Sequence, residues 1–254
     1  MTTRTPMIAG NWKMHKTCEE AQNAAAALVE LTAGASAVEV MIAPPFTALV
    51  PVADALKGSR VLLGGQNLHW ESQGAFTGEI SAKMLLSAGC THVVIGHSER
   101  RQYFGETDET VNKKIGAAVE AGLVPVMCIG ETEAEREGGK TFSILDKQIQ
   151  KGVEGFSFER LKRLVVAYEP VWAIGTGKTA TSDQAQEAHR YIRDQLEKSF
   201  GAAAAGSVRI LYGGSVKPDN IAELMARPDL DGALVGGASL DPEVFSRIVH
   251  YQKG

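Results

Sequence analysis

Glu169 is the first charge after the apolar run 164–168, and the segment 170–180 behind it is apolar at its front and glycine-rich at its tip. A carboxylate at the end of a buried strand, beside a loop carrying Val171, Trp172, Ala173 and Ile174 ahead of Gly175 and Gly177, suits a general base working under a lid. An ordinary strand-to-helix connection with a buried tryptophan is the plainer alternative. His97 follows the run 92–95 and Gly96, and Ser98-Glu99-Arg100-Arg101 after it reads as the first turn of a helix. The helix dipole disfavours added positive charge there, which pushes an imidazole toward its neutral form. A hydrogen-bonded core histidine competes with that reading. Asn11 and Lys13 close the first apolar stretch and offer an amide and a fixed positive charge, although a lone lysine is commonly just solvated or ion-paired. Gly213-Gly214-Ser215 and Gly236-Gly237 follow the last two apolar runs. As turns such pairs are common, but in that position their backbone amides suit a phosphate.

These residues need a scaffold that brings distant chain segments to one face. The sequence repeats a short unit, an apolar run followed by a loop and a helical pattern, eight times. The runs are 7–9, 38–43, 61–63, 92–95, 124–129, 164–168, 208–212 and 232–235. They recur about every 32 residues, the size of a strand plus its crossover helix. Thr181 to Gln184 fits a capping box ahead of Ala185, Ala188, Ile192 and Leu196, and Asp241-Pro242 opens the last helix. The expected architecture is α/β: a (β/α)₈ barrel of eight parallel strands inside a ring of helices, one domain over residues 1–254. A doubly wound open sheet would carry a Gly-x-Gly-x-x-Gly fingerprint after its first strand, and Ala9-Gly10-Asn11-Trp12-Lys13 is unlike it.

Composition narrows the partners. Hydrophobic residues make up 44% and charged ones 22%, enough apolar mass for a large core, and the net charge of −4 comes with no basic stripe or nucleic-acid motif. Nucleic acid is therefore not an expected partner. The N-terminal apolar stretch is cut by Asn11 and Lys13, so neither a signal peptide nor a membrane span is expected. Cys18, Cys90 and Cys128 are odd in number and widely spaced, which suggests free thiols in a reducing cytosol. The six histidines show no zinc-type pairing, and no metal is expected.

The motifs Ala9-Gly10-Asn11-Trp12-Lys13, Gly96-His97-Ser98-Glu99-Arg100, 167–178, Tyr212-Gly213-Gly214-Ser215 and Val235-Gly236-Gly237-Ala238 resemble, in order and spacing, the triosephosphate isomerase family, and the resemblance covers essentially the whole chain. It implies a TIM barrel that interconverts dihydroxyacetone phosphate and D-glyceraldehyde 3-phosphate through an enediolate, without cofactor or metal, in glycolysis and gluconeogenesis. By the resemblance Glu169 is the base, made more basic by apolar lid groups such as Ile174, and neutral His97 is the electrophile. Lys13 stabilises charge, Asn11 contacts substrate, and amides at Gly175, Ser215, Gly236 and Gly237 hold the phosphate. Glu99 lies near Lys13 and His97, to hold the lysine or relay a proton, and Cys128 and Glu131 support the site. The segment 67–79, with Trp70 and Phe76, is the arm of a homodimer, its Thr77 reaching a neighbouring site near Asn11 and Glu99. His15 stands where many members have asparagine, near that interface. The alternatives are a catalytically silent phosphate-binding or scaffold barrel, which would tolerate loss of Lys13, His97 or Glu169, and another phosphosugar enzyme on a similar barrel.

Overall fold

A computed structural model of the chain describes residues 4–175 and 177–251. Eight parallel strands close into a barrel in sequence order, β1 pairing with both β2 and β8. They are β1 (Met7–Asn11), β2 (Glu39–Ala43), β3 (Leu62–Gly65), β4 (His92–Ile95), β5 (Val124–Ile129), β6 (Val165–Tyr168), β7 (Arg209–Tyr212) and β8 (Gly232–Val235). Every strand is buried on both faces, which is why each reads as a nearly unbroken apolar run.

Two apolar layers result. Met7, Ala9, Met41, Ala43, Val94, Val126, Cys128, Val165, Ala167, Leu211 and Leu234 fill the barrel interior. The alternate residues, among them Ile8, Ile42, Val93, Ile95, Ile129, Val166, Tyr168 and Ile210, pack outward against the helices. Ala9, Ala43, Ala167 and Cys128 sit toward the carboxyl ends of the inner face, and their small side chains leave room above them.

The strand ends depart from the apolar runs in two informative places. Strand β1 continues through Gly10 to Asn11, which pairs with Ala43, so Asn11 is held by the sheet rather than by a loop. Strand β3 starts at Leu62 and runs on through Gly64 and Gly65. A Cβ on Gly65 would lie 2.8 Å from Leu85 Cδ1, so the helix Ala82–Ser87 packs where a side chain would have extended the apolar pattern.

The helices form where their caps predict. Thr181 accepts from Gln184 N, and Ser182–Phe200 behind it buries Ala185, Ala188, Ile192 and Leu196. Asp241 accepts from Glu243 N and Val244 N at the head of Pro242–Val249. No helix among the described residues is long and apolar enough to cross a membrane.

Burial has a pH consequence inside this shell. His189 is fully buried from solvent beneath the barrel rim, edge-on to Tyr168 at 5.9 Å, and burial pushes its pKa down to about 3. His92 is pushed down to about 3 as well, by burial and then by the nearby Arg209 and Arg163. Both imidazoles are neutral in the folded chain at pH values where the unfolded chain, titrating near an ordinary 6.5, takes up protons. Each therefore withdraws stability as pH falls below about 6.5, by about 1.4 kcal/mol per pH unit, until its folded value is reached. The thermal midpoint of a His189→Gln variant, followed from pH 6.5 to 4.5, should fall less steeply than that of the parent. Equal slopes would remove His189 from the acid response.

Candidate active site

Strand alternation aims two of the functional side chains. Met7 and Ala9 point into the barrel, and Asn11 is next on that face; Val165 and Ala167 do the same on β6, followed by Glu169. His97 breaks the pattern, since Val93 and Ile95 face outward and a continued strand would put residue 97 outside with them. Gly96 intervenes at φ 75°, with no room for a side chain beside Val111 and Arg101, and turns His97 back toward the barrel mouth. The mouth holds a cavity of about 270 Å³ whose wall includes Asn11, Lys13, His97, Glu169, Ile174, Gly175, Ser215, Gly236 and Gly237.

Glu169 Oε1 lies 2.9 Å from His97 Nε2, and its Oε2 accepts the Ser98 backbone N–H at 2.9 Å. The Glu99 backbone N–H donates to His97 Nδ1 at 3.3 Å. That bond needs a lone pair on Nδ1, so the neutral ring carries its proton on Nε2, facing Glu169. Lys13 Nζ is 2.6 Å from Glu99 Oε1. The lysine backbone is left-handed at φ 52°, an uncommon state for a residue with a side chain, and two contacts hold it there. Asn11 Oδ1 accepts its N–H at 3.0 Å, while Gln66 Nε2 donates to its carbonyl at 2.9 Å and to that of Ala43 at 2.8 Å. Ser98 and Gln66 are thus part of the arrangement, although Ser98 carries no assigned role within its motif and Gln66 lies outside the motifs. Ser98 acts through its backbone, which any residue type supplies, and Gln66 stands 53 residues from its partner.

The electrostatics correct one expectation. The Glu169 carboxyl was expected to become more basic, but here it lies below its ordinary value. Burial raises it, yet the attraction and hydrogen bond of His97, the Ser98 amide and the charge of Lys13 together outweigh burial. His97 is correspondingly held above its ordinary value: burial opposes its charge, and Glu169 with Glu99 more than offsets it. The contact between the two side chains is the largest favourable contribution to both shifts. When Glu169 turns away, burial, Lys13 and the Glu99 N–H on Nδ1 favour neutral imidazole, against the attraction of the Glu99 carboxylate that remains.

Around the rim, the glycines are dictated by space. A Cβ on Gly213 would lie 2.9 Å from Glu169 Cγ, and one on Gly214 would meet the Tyr212 hydroxyl at 2.3 Å. The Ser239 N–H and hydroxyl both donate to Gly236 O, fixing the single turn Gly237–Ser239, and Asn220 Nδ2 donates to Ser215 O at 3.0 Å. Lys13 extends to this rim: a Cβ on Gly236 would sit 3.5 Å from Lys13 Cε. Gly175 and Gly177 have φ of 69° and 80°, turns that L side chains resist; Thr176 between them lies outside the described residues.

Glu131 does not face the cavity. It is completely buried on the outer side of the barrel, where Tyr168 Oη, Trp172 Nε1 and Arg136 donate to its carboxylate at 3.0–3.1 Å. The Arg136 guanidinium also covers the Trp172 ring at 4.6 Å, and Lys178 is ion-paired with Glu133. Glu131 therefore secures the start of the segment 170–180. Cys128 is buried in the barrel interior, its thiol pushed well up by burial and by Glu169. Thr77 is exposed and is not among the residues lining the cavity at the barrel mouth.

Fold and site define an enzyme built on a (β/α)₈ barrel. The family profile for triosephosphate isomerase matches residues 6–252. The triosephosphate isomerase of Geotalea uraniireducens (strain Rf4) is 56% identical over 250 residues, covering 98% of this chain and all of that one. That of Geobacter metallireducens is 57% identical over 249 residues, covering 98% and 99%. The crystal structure of triosephosphate isomerase from Bartonella henselae superposes with a TM-score of 0.87 at 42% identity, over 96% of this chain and 97% of the other. The chain belongs to the triosephosphate isomerase family.

Proposed function

We propose that Glu169 is the base that carries a proton between adjacent carbons in the interconversion of dihydroxyacetone phosphate and D-glyceraldehyde 3-phosphate. The observation that carries this reading is the convergence of Glu169, His97 and Lys13 on one cavity at the barrel mouth. Glu169 takes the proton from the carbon beside the carbonyl and returns it to the other carbon of the resulting enediolate. Neutral His97 donates from Nε2 to the oxygen on which charge develops, a role that requires Glu169 to have left that proton for the substrate. Lys13, held by Glu99, supplies fixed positive charge to the enediolate and the phosphate, and Asn11 adds a polar contact. Amides at Gly175, Ser215, Gly236 and Gly237 hold the phosphate, and the segment 170–180 closes as a lid with Ile174 over the base. Excluding water protects the enediolate from losing its phosphate.

The test is direct. Purified protein given D-glyceraldehyde 3-phosphate should form dihydroxyacetone phosphate, read by a coupled dehydrogenase. Absence of turnover in a folded preparation would overturn the assignment and favour a silent phosphate-binding barrel. With that activity the protein serves glycolysis and gluconeogenesis in the cytoplasm.

We further read the chain as one domain that pairs with a second copy of itself. Residues 71–79 are all exposed, Phe76 lies tilted against His69 at 4.3 Å while remaining 43% exposed, and Met14, Tyr103 and Phe104 are 93%, 74% and 68% exposed. Such an apolar surface on one chain calls for a cover. Sedimentation should give about twice the chain mass of 27.1 kDa. A monomer at micromolar concentration would sink the dimer.

A further inference from the structure

A second cavity, of about 250 Å³, lies behind Glu169, between the segment 96–102 and the loop after β5. Among the described residues Glu169 alone lines both this space and the cavity at the barrel mouth. Its two carboxylate oxygens divide accordingly. Oε1 contacts His97 in the front wall, and Oε2 contacts Ser98 in the back wall, each at 2.9 Å. The back space has mixed walls, with Ser98, Arg101, Gln102, Thr132 and Gln148 beside the apolar Ile129 and Val171. Its size admits several waters at about 30 Å³ each, and the polar groups along one side can hold them. Gln102 is exposed, at the outer edge.

We infer that this cavity is a water-holding chamber through which the proton carried by Glu169 exchanges with solvent while substrate closes the front. The inference rests on Glu169 being the base. The step is a proton swap without redox change. The carboxyl passes its O–H proton to a chamber water and receives one of that water's own, so that in D₂O a carboxyl bearing H becomes one bearing D, and D₂O becomes HOD. The swap competes with return of the original proton to substrate carbon, and the deuterium found on carbon in the first product measures the competition. When Glu169 swings toward substrate, chamber water also takes over the Ser98 N–H, a buried donor that would otherwise be left unmade.

Turnover in D₂O with NMR of the early product tests this. In Gln102→Trp, whose indole narrows the outer edge, the ratio of exchanged to directly transferred proton should fall by about threefold or more while kcat stays within about twofold of the parent. Gln102→Leu should shift the ratio in the same direction by less, and serves if the tryptophan variant fails to fold. Gln102→Ala should leave the ratio at or above the parental value. A parental ratio in the folded Trp and Leu variants, or an equal fall in Gln102→Ala, would overturn the chamber. Neither result would touch the base, which fails only if Glu169→Gln retains turnover.

Discussion

Replacing Glu169 by Gln should lower kcat by about three orders of magnitude, because the amide keeps the shape of the carboxylate but cannot accept a proton from carbon. Folding should be nearly untouched. Removing a charge that is 2% exposed relieves its desolvation, and this offsets the loss of one hydrogen bond of about 1 kcal/mol, since the single amide oxygen can accept from the Ser98 N–H or the His97 Nε2 proton but not from both. The thermal midpoint should therefore stay within a few degrees of the parent, and a coupled assay beside a melting curve separates lost chemistry from lost structure. Glu169→Asp keeps the charge but withdraws it by one methylene, and a displacement of about 1 Å should still cost about a hundredfold. A second readout comes from His97. Its pKa stands above the ordinary value through attraction to Glu169 and Glu99, against burial, so NMR titration should find it lower in the Gln variant. Near-parental turnover in the Gln variant would remove Glu169 from the chemistry whatever the titration shows.

Gly232→Ala should be among the most damaging single-methyl changes in the scaffold. The residue sits at φ 150° on the seam where β8 meets β1, and a Cβ there would lie 1.8 Å from the backbone oxygen of Met7 and 2.9 Å from Leu211 Cδ2. Nothing at the end of a flexible side chain can yield, since the colliding atom belongs to the strand that closes the ring. The substitution should cost about 4 kcal/mol or more, lowering the thermal midpoint by about 10 °C or preventing folding altogether. Gly58→Ala makes the fitting control. Its φ of 77° is also left-handed but nothing lies within 4 Å of the added atom, so only the backbone penalty of about 1 kcal/mol applies. Equal midpoints for the two variants would show that the seam relaxes.

Apolar runs spaced about a strand-plus-helix unit apart leave few ways to bury both faces of eight strands, so the barrel and its order are legible from pattern alone. The ends of β3 were not, because Gly64 and Gly65 look like a stop while they make room for Met41 and Leu85. Glu131 shows the same limit in the site: the chain places it after β5, but only the outward alternation of Met127 and Ile129 sends it to Tyr168 and Trp172 instead of the cavity.

The sequence by itself determined the fold class, the family, and the side chains able to do the chemistry, because these depend on residue type, period and order along the chain. Tertiary structure decided how those side chains are poised. The turn at Gly96 brings His97 inward, Asn11 and Gln66 hold Lys13 at a positive φ, and Glu169 rests on His97 and Ser98 with a lowered rather than a raised pKa. Each of these is a contact between residues far apart in the chain, or a backbone state that neighbouring segments enforce. Burial and partner charge act in opposite directions on the same carboxylate, and only the distances between them settle the balance.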